Sequence, residues 1–240
     1  MRYKGGFNTY GQAIGVLVLE TDFPRVPGDM GNATTFDFPV RFKMVEGATP
    51  EKVVQEQDPA LLEPFIKAGR ELAAEGVRGI TTTCGFLAQF QQQLAAAVDV
   101  LIFATSLMQV PMVYRMLRPD QKVGIITADG RHLHKGLLEA VGAGDVPVVI
   151  GGMENAHEFH LMRKVERLLD PDIAAQEVVA TGQRLVAQDP AIGAFVMECA
   201  NLPPYSKALQ DATGLPVFDI VSLTRWVHSA LVQRSYQGYL

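Results

Sequence analysis

Residues 79–104, GITTTCGFLAQFQQQLAAAVDVLIFA, and residues 194–219, AFVMECANLPPYSKALQDATGLPVFD, lie over one another without a gap. The overlay brings the chain's two cysteines, Cys84 and Cys199, into register. Counted from each cysteine, Leu87 matches Leu202, Phe90 matches Tyr205, Leu94 matches Leu209 and Phe103 matches Phe218. Each copy reads as a short apolar run, a cysteine, a helical stretch and a second apolar run. The runs are continuous rather than alternating, which is the pattern of strands buried on both faces of a parallel sheet. A strand-helix-strand unit that occurs twice predicts an α/β fold of two Rossmann-like parallel-sheet lobes. A pseudo-two-fold axis would relate the lobes and place the active site in the cleft between them, where both cysteines face each other.

Outward from this repeat, strands are expected at 13–19, 78–83, 100–104, 123–127, 146–150, 192–197 and 217–220. Asp58-Pro59 and Asp170-Pro171 mark two helix starts, because an acid caps the free N–H groups and a first-turn proline has no N–H to lose. Those helices should run to about 75 and 188, with others at 86–97, 107–117, 132–141, 205–212 and 223–236. The repeat divides the chain into an N-terminal lobe, 1–97 with 215–240, that carries Cys84, and a C-terminal lobe, 98–214, that carries Cys199. Residues 20–50 are rich in Pro, Gly, Asn and Asp and have no clear period, so they read as a long loop at the carboxyl edge of the first strand. Ligands of open α/β sheets bind at that edge.

The 240 residues are 48% hydrophobic and 20% charged, the composition of an ordinary globular chain. A net charge of −5, spread along the sequence, argues against a nucleic-acid partner. No apolar run reaches the length of a membrane span, and MRYKGGFNTYGQ lacks the apolar centre of a secretory signal, so a cytoplasmic location away from membranes is expected. A homodimer is the commonest assembly for such a protein. No CxxC pair is present, His157 and His160 have no third ligand nearby, and no glycine-rich phosphate loop follows a strand. Neither a metal nor another cofactor is expected.

Lone cysteines are mostly inert core residues. Two that occupy equivalent places in a repeat, each at the end of a strand and just before a helix, are better read as chemistry. A helix start lowers a thiol's pKa from its usual value near 8.5. One sulfur, as thiolate, can then take a proton from carbon while the other, as thiol, returns one to the opposite face.

With TTTCGFL, VGIIT, FVMECANL and GLPVFD in these positions, the chain resembles the aspartate/glutamate racemase superfamily, which includes hydantoin racemases, maleate isomerases and arylmalonate decarboxylases. The resemblance spans nearly the whole chain. It implies cofactor-independent chemistry on a carbon acid beside a carboxylate or carbonyl. Arylmalonate decarboxylases have only the second thiol, so two cysteines favour a racemase or epimerase, an isomerase of amino acid metabolism. The alternatives are a cysteine-dependent decarboxylase or cis-trans isomerase of a dicarboxylate, in which Cys199 dominates, and a two-lobed binding protein without turnover. Glutamate and aspartate racemases follow their cysteines with Asn-Thr and Thr. Here Gly85-Phe86 and Ala200-Asn201 stand there, so their mode of amino-acid recognition does not carry over, and Phe86 favours a bulkier or less polar ligand.

The predicted site is Cys84 and Cys199 as acid and base, with Thr83, Gly85, Phe86, Thr127, Ala200, Asn201 and Arg25 binding the substrate. Backbone N–H groups after each cysteine would hold a carboxylate. Small Gly85 and Ala200 leave room for it, and Thr82, Thr83 and Asn201 add donors. Thr127 ends the middle strand. Arg25, in the long loop, would clamp a carboxylate. Glu20 and Asp22 are candidates for holding an ammonium group. The partner implied is a small carboxylate or an amino-acid-like molecule.

Overall fold

The structure, a computed structural model, describes residues 5–161 and 168–239. Among them are two four-stranded parallel sheets. The first contains β1 (Ile14–Leu19), β2 (Val40–Val45), β3 (Gly79–Thr82) and β4 (Leu101–Ile102) in the order β2-β1-β3-β4. The second contains β5 (Lys122–Thr127), β6 (Val148–Gly152), β7 (Ile192–Met197) and β8 (Val217–Phe218) in the order β6-β5-β7-β8. The identical order is the pseudo-symmetry that the cysteine repeat announces. β3 and β7 are its central elements and are buried along their whole length.

Helices cover the sheets: α1 (Leu62–Ala74), α2 (Gln91–Ala97), α3 (Val110–Tyr114), α4 (Lys135–Glu139), α5 (His157–Leu161), α6 (Pro171–Gln188), α7 (Ser206–Thr213) and α8 (Ile220–Leu231). The two proline-led starts behave as expected. Asp58 caps Ala60 N, and Asp170 caps Asp172 N and Ile173 N. α1 turns Phe65, Ile66 and Leu72 into the core, each worth roughly 1.5–3 kcal/mol when fully buried. Its close approach to β1 depends on Gly15, where a Cβ would stand 2.9 Å from Leu72 Cδ1.

Three features depart from the sequence reading. First, β2 lies inside the supposed loop 20–50. It is an edge strand in which half-buried Arg41 and Lys43 alternate with Val40, Phe42 and Met44, so it lacks the continuous apolar run of the strands buried on both faces. Second, the sheets do not divide at 97/98 and 214/215. β4 pairs with β3 in the first sheet and β8 with β7 in the second, so each lobe gains one strand past the expected boundary. The chain returns to the first lobe only at α8, whose Ile220, Leu223 and Val227 pack with Ile14, Val16 and Phe103. Asp219 fixes that return: it forms a capping box with Ser222, and Ser206 Oγ donates to its carboxylate at 2.6 Å. Third, α4 and α8 are shorter or shifted relative to 132–141 and 223–236. No helix among the described residues is long and apolar enough to cross a membrane.

Candidate active site

Both cysteines sit just past the carboxyl ends of the central strands, and both open onto one cavity between the lobes. Each is 9% exposed, and no disulfide joins them. The cavity encloses about 40 Å³ and is lined by Leu19, Thr21, Phe23, Arg25, Pro50, Val54, Thr83, Cys84, Phe86, Ala128, Phe159, Glu198, Cys199 and Asn201. Thr21, Phe23, Pro50 and Val54 also line an open cleft of about 480 Å³ that contains Glu20, Asp22 and Glu51. These four residues form the partition between the cavity and that cleft.

The turn after Cys84 is 3₁₀ from Gly85 to Phe90, with Cys84 as its extended N-cap, and the α-helix proper begins at Gln91. After Cys199 comes a turn, then a short 3₁₀ segment at Pro203–Tyr205, and α7 starts at Ser206. Cys84 thus stands just before a helical segment as expected, whereas the helix after Cys199 starts later than expected. Pro203 and Pro204 delay the second helix, and local N–H groups replace the helix dipole. In the first turn the N–H groups of Gly85 and Phe86 precede the first intrahelical bond, Leu87 N to Cys84 O. Thr82 is structural. Its hydroxyl donates to Ala104 O (2.7 Å) and accepts from Cys84 N (3.2 Å), which sets the cysteine's backbone. Thr83 Oγ1 accepts from Leu19 N at 3.1 Å and reaches the cavity wall.

The Cys199 turn is held by a side-chain relay. Cys199 Sγ donates to Asn201 Oδ1 at 3.5 Å, and Asn201 Nδ2 donates to Asp29 Oδ2 at 2.7 Å. Asp29 Oδ1 accepts from Arg25 Nη1 (2.8 Å) and Gly31 N (2.7 Å). A carboxylate only accepts, so Asp29 fixes which way the Asn201 amide points and leaves its oxygen facing the sulfur. Arg25 Nη2 donates to Thr21 Oγ1, and its guanidinium lies 4.8 Å from the centre of the Phe23 ring.

Of the predicted binding residues, Thr83, Phe86, Asn201 and Arg25 line the cavity with both cysteines. Thr127 acts one step back, donating from Oγ1 to Glu198 Oε2 at 2.7 Å. Gly85 and Ala200 are buried beside the cysteines, and Gly85 seats the same carboxylate: a Cβ there would overlap Glu198. Glu20 accepts from Gly47 N, and with Asp22 it lies in the outer cleft. The sequence reading missed Glu198, Asp29, Phe23 and Phe159. Glu198 carries a signal in hindsight: it is an acid inside the otherwise apolar strand run AFVMECA, where a charge is expensive. Behind Cys199, the Tyr205 phenol is 2% exposed and finds no hydrogen-bond partner among the described residues. Burial first, then the negative charge of Asp29, pushes its pKa up to about 12.

No protein-family model matches this chain. The chain is 31% identical over 236 residues to dimethylsulfoniopropionate lyase 7 of Emiliania huxleyi, covering 94% of this chain and 69% of the relative. It is 32% identical to dimethylsulfoniopropionate lyase 3 of the same organism, covering 94% of this chain and 61% of the relative. The chain thus spans about two thirds of the length of these relatives. Among solved structures it resembles an allantoin racemase from Klebsiella pneumoniae, with TM-score 0.64 and 14% identity over 91% of this chain and 87% of that one. An unliganded arylmalonate decarboxylase matches with TM-score 0.62 and 14% identity over 93% and 94% of the two chains.

Proposed function

The chain belongs to the dimethylsulfoniopropionate lyase family within the Asp/Glu racemase superfamily, and from that premise we propose that it is a cysteine-dependent lyase that splits dimethylsulfoniopropionate into dimethyl sulfide and acrylate. The observation that carries the reading is the opening of both thiols onto one cavity, in a chain whose relatives are named dimethylsulfoniopropionate lyases. The racemase reading and the lyase reading share their first step, removal of a proton from the carbon beside a carboxylate. They part at the second, because a racemase must return a proton to the other face and a lyase expels a leaving group.

In the proposed reaction Cys84, as thiolate, takes the α-proton. The C–H electron pair becomes the second bond between the α and β carbons, the bond from the β carbon to sulfur breaks, and its electrons leave with neutral dimethyl sulfide. The proton on Cys84 then passes to solvent, and acrylate departs. Cys84 is assigned the base's role because the Cys199 Sγ is already placed as a donor to Asn201 Oδ1. The substrate carboxylate, which gains charge as the proton leaves, is met by the N–H groups of Gly85 and Phe86 and by Arg25.

The test is to incubate the purified chain with dimethylsulfoniopropionate and measure dimethyl sulfide in the headspace and acrylate by NMR. A panel of amino acids, hydantoins and dicarboxylates is followed for α-proton exchange in D₂O alongside. Stoichiometric sulfide and acrylate support the lyase. Exchange with loss of optical purity and no elimination would return the chain to the racemases.

A further inference from the structure

The wall between the thiol cavity and the outer cleft draws Pro50 and Val54 from one segment, residues 48–57, which joins β2 to the helix start at Asp58. Its backbone is unusual at three places. Glu51–Glu56 form π-helical turns, a rare geometry that recurs at functional sites. Gly47, just before the segment, takes φ +74° with open space around it. Gln57, at its end, takes φ 49° and ψ 43°, and among the described residues no other residue except glycine has a positive φ. A side chain in that left-handed region crowds its own backbone, so the conformation persists only where surrounding contacts hold it. Those contacts come from the other lobe. Gln57 Nε2 donates to His132 O at 3.2 Å, and Gln57 Oε1 accepts from His134 Nε2 at 2.8 Å. The tautomer follows from a neighbouring bond: His134 Nδ1 accepts from Gly136 N at 3.1 Å, so the ring proton sits on Nε2. Both histidines belong to the turn after β5, which starts at Ala128 on the cavity wall.

We propose that Gln57 is a latch: its amide, bonded across the lobes to His132 and His134, holds residues 48–57 against the thiol cavity, and its release lets Pro50 and Val54 move away from the sulfurs. Two opposed terms meet in this one residue. The side chain loses two hydrogen bonds when the latch opens, and the backbone gains by leaving the left-handed region. The shut arrangement is therefore held by a small margin, which is what a two-state element needs if it is to open and shut again. Val53 and Val54 are buried beneath the segment while Glu51, Lys52, Gln55 and Glu56 face solvent, so the outward side meets no packed neighbour that would oppose the movement. Gly47, free of side-chain crowding, supplies a pivot at the other end. The latch controls access to the two thiols whatever reaction they perform, so it does not rest on the lyase reading.

The test reads access to the thiols and needs no substrate. The full chain is treated with N-ethylmaleimide, and initial rates at Cys84 and Cys199 are followed by peptide mass mapping, in buffer and in urea below the unfolding transition. Gln57→Ala should raise both rates by about tenfold, the worth of its two lost hydrogen bonds. His134→Ala removes one of the two bonds and should raise them less, and the double variant should match Gln57→Ala, because both changes break the same latch. Gln57→Asn keeps a residue that tolerates the left-handed region but shortens its reach, so it should also speed alkylation, and it serves if the alanine variant does not fold. Local opening exposes little surface, so the faster rates should stay nearly flat in low urea, whereas global unfolding would make them climb steeply. Wild-type rates in both Gln57 variants, additive effects in the double variant, or an increase that steepens with urea would each overturn the proposal.

Discussion

The two cysteine turns occupy equivalent places in the repeat and are built differently. Before the cysteine, one has Thr83 and the other Glu198; after it, Gly85-Phe86 faces Ala200-Asn201. The first turn brings a small residue and an aromatic ring, and its backbone is set by Thr82. The second brings a buried acid and an amide that reaches through Asp29 to Arg25. A racemase must offer matched acids and bases to opposite faces of one carbon. An elimination needs a base on one face only, and asymmetry between the turns suits it. The backbone thus preserves the symmetry of the fold while the side chains flanking the sulfurs break it.

The sharpest way to test that difference is to replace each thiol in turn. Cys84→Ser should reduce sulfide release by about 10²–10⁴, the usual worth of a general base. Cys199→Ser should cost about tenfold or less, since a hydroxyl can still donate to Asn201. Equal and complete loss in both variants would make both thiols essential to the elimination and overturn the assignment of the base to Cys84 alone, and a loss confined to Cys199→Ser would favour the decarboxylase-like alternative. Next in size is the pair that follows the cysteines. Gly85→Ala places a Cβ into the Glu198 carboxylate and should cut turnover by about 10–100-fold, because small displacements at a reacting centre are expensive. Ala200→Gly at the matching position should leave turnover within about threefold and act only through backbone entropy, costing about 1 kcal/mol in a denaturant titration.

Smaller effects separate the turns further. Asn201→Ala removes one of the donors to buried Asp29 and should destabilise the chain by about 1–3 kcal/mol, with faster alkylation of Cys199 as a second readout. The smallest concerns the aromatic positions six residues past each cysteine, Phe90 and Tyr205. Tyr205→Phe deletes a buried hydroxyl that has no partner among the described residues, so stability near pH 7 should stay level or rise by up to about 1 kcal/mol. Folding raises this phenol's pKa from 10.0 to about 12, so the folded state holds the proton more tightly than the unfolded chain. That contribution is complete below pH 10 and is lost as pH rises towards 12. The alkaline fall in stability should therefore be shallower in Tyr205→Phe, as melting curves between pH 8 and 12 would show.

The architecture was legible where burial wrote continuous apolar runs. β3, β5 and β7 lie within a residue or so of their expected places because both faces of each are covered, and the equal spacing around Cys84 and Cys199 exposed the repeat. β2 escaped because Arg41 and Lys43, which pair with Glu75 and Glu71 at the first helix, interrupt its apolar residues, so no continuous run marks it. The lobe boundaries slipped because β4 and β8 are two residues long and carry too little pattern to show which sheet claims them. In the site, residues adjacent to the cysteines could be named from position alone. Phe159 reaches the cavity, and Asp29 the Cys199 turn, from segments far away in sequence, and only the packing of the chain brings them there. Glu198 was adjacent and still missed, because strand reading treats an acid in an apolar run as an interruption rather than as cargo.

The cavity that holds the thiols encloses about 40 Å³, little more than one water molecule's share of liquid. In the proposed reaction a substrate of several heavy atoms needs more room than this, and the shared wall of Thr21, Phe23, Pro50 and Val54 would have to shift to admit it. Proton transfer in so narrow a cavity would be sheltered from bulk water, and the proposed cycle would then be timed by the movement of its wall. Deuterium at the α carbon would barely register in kcat, whereas a more viscous solvent would slow it.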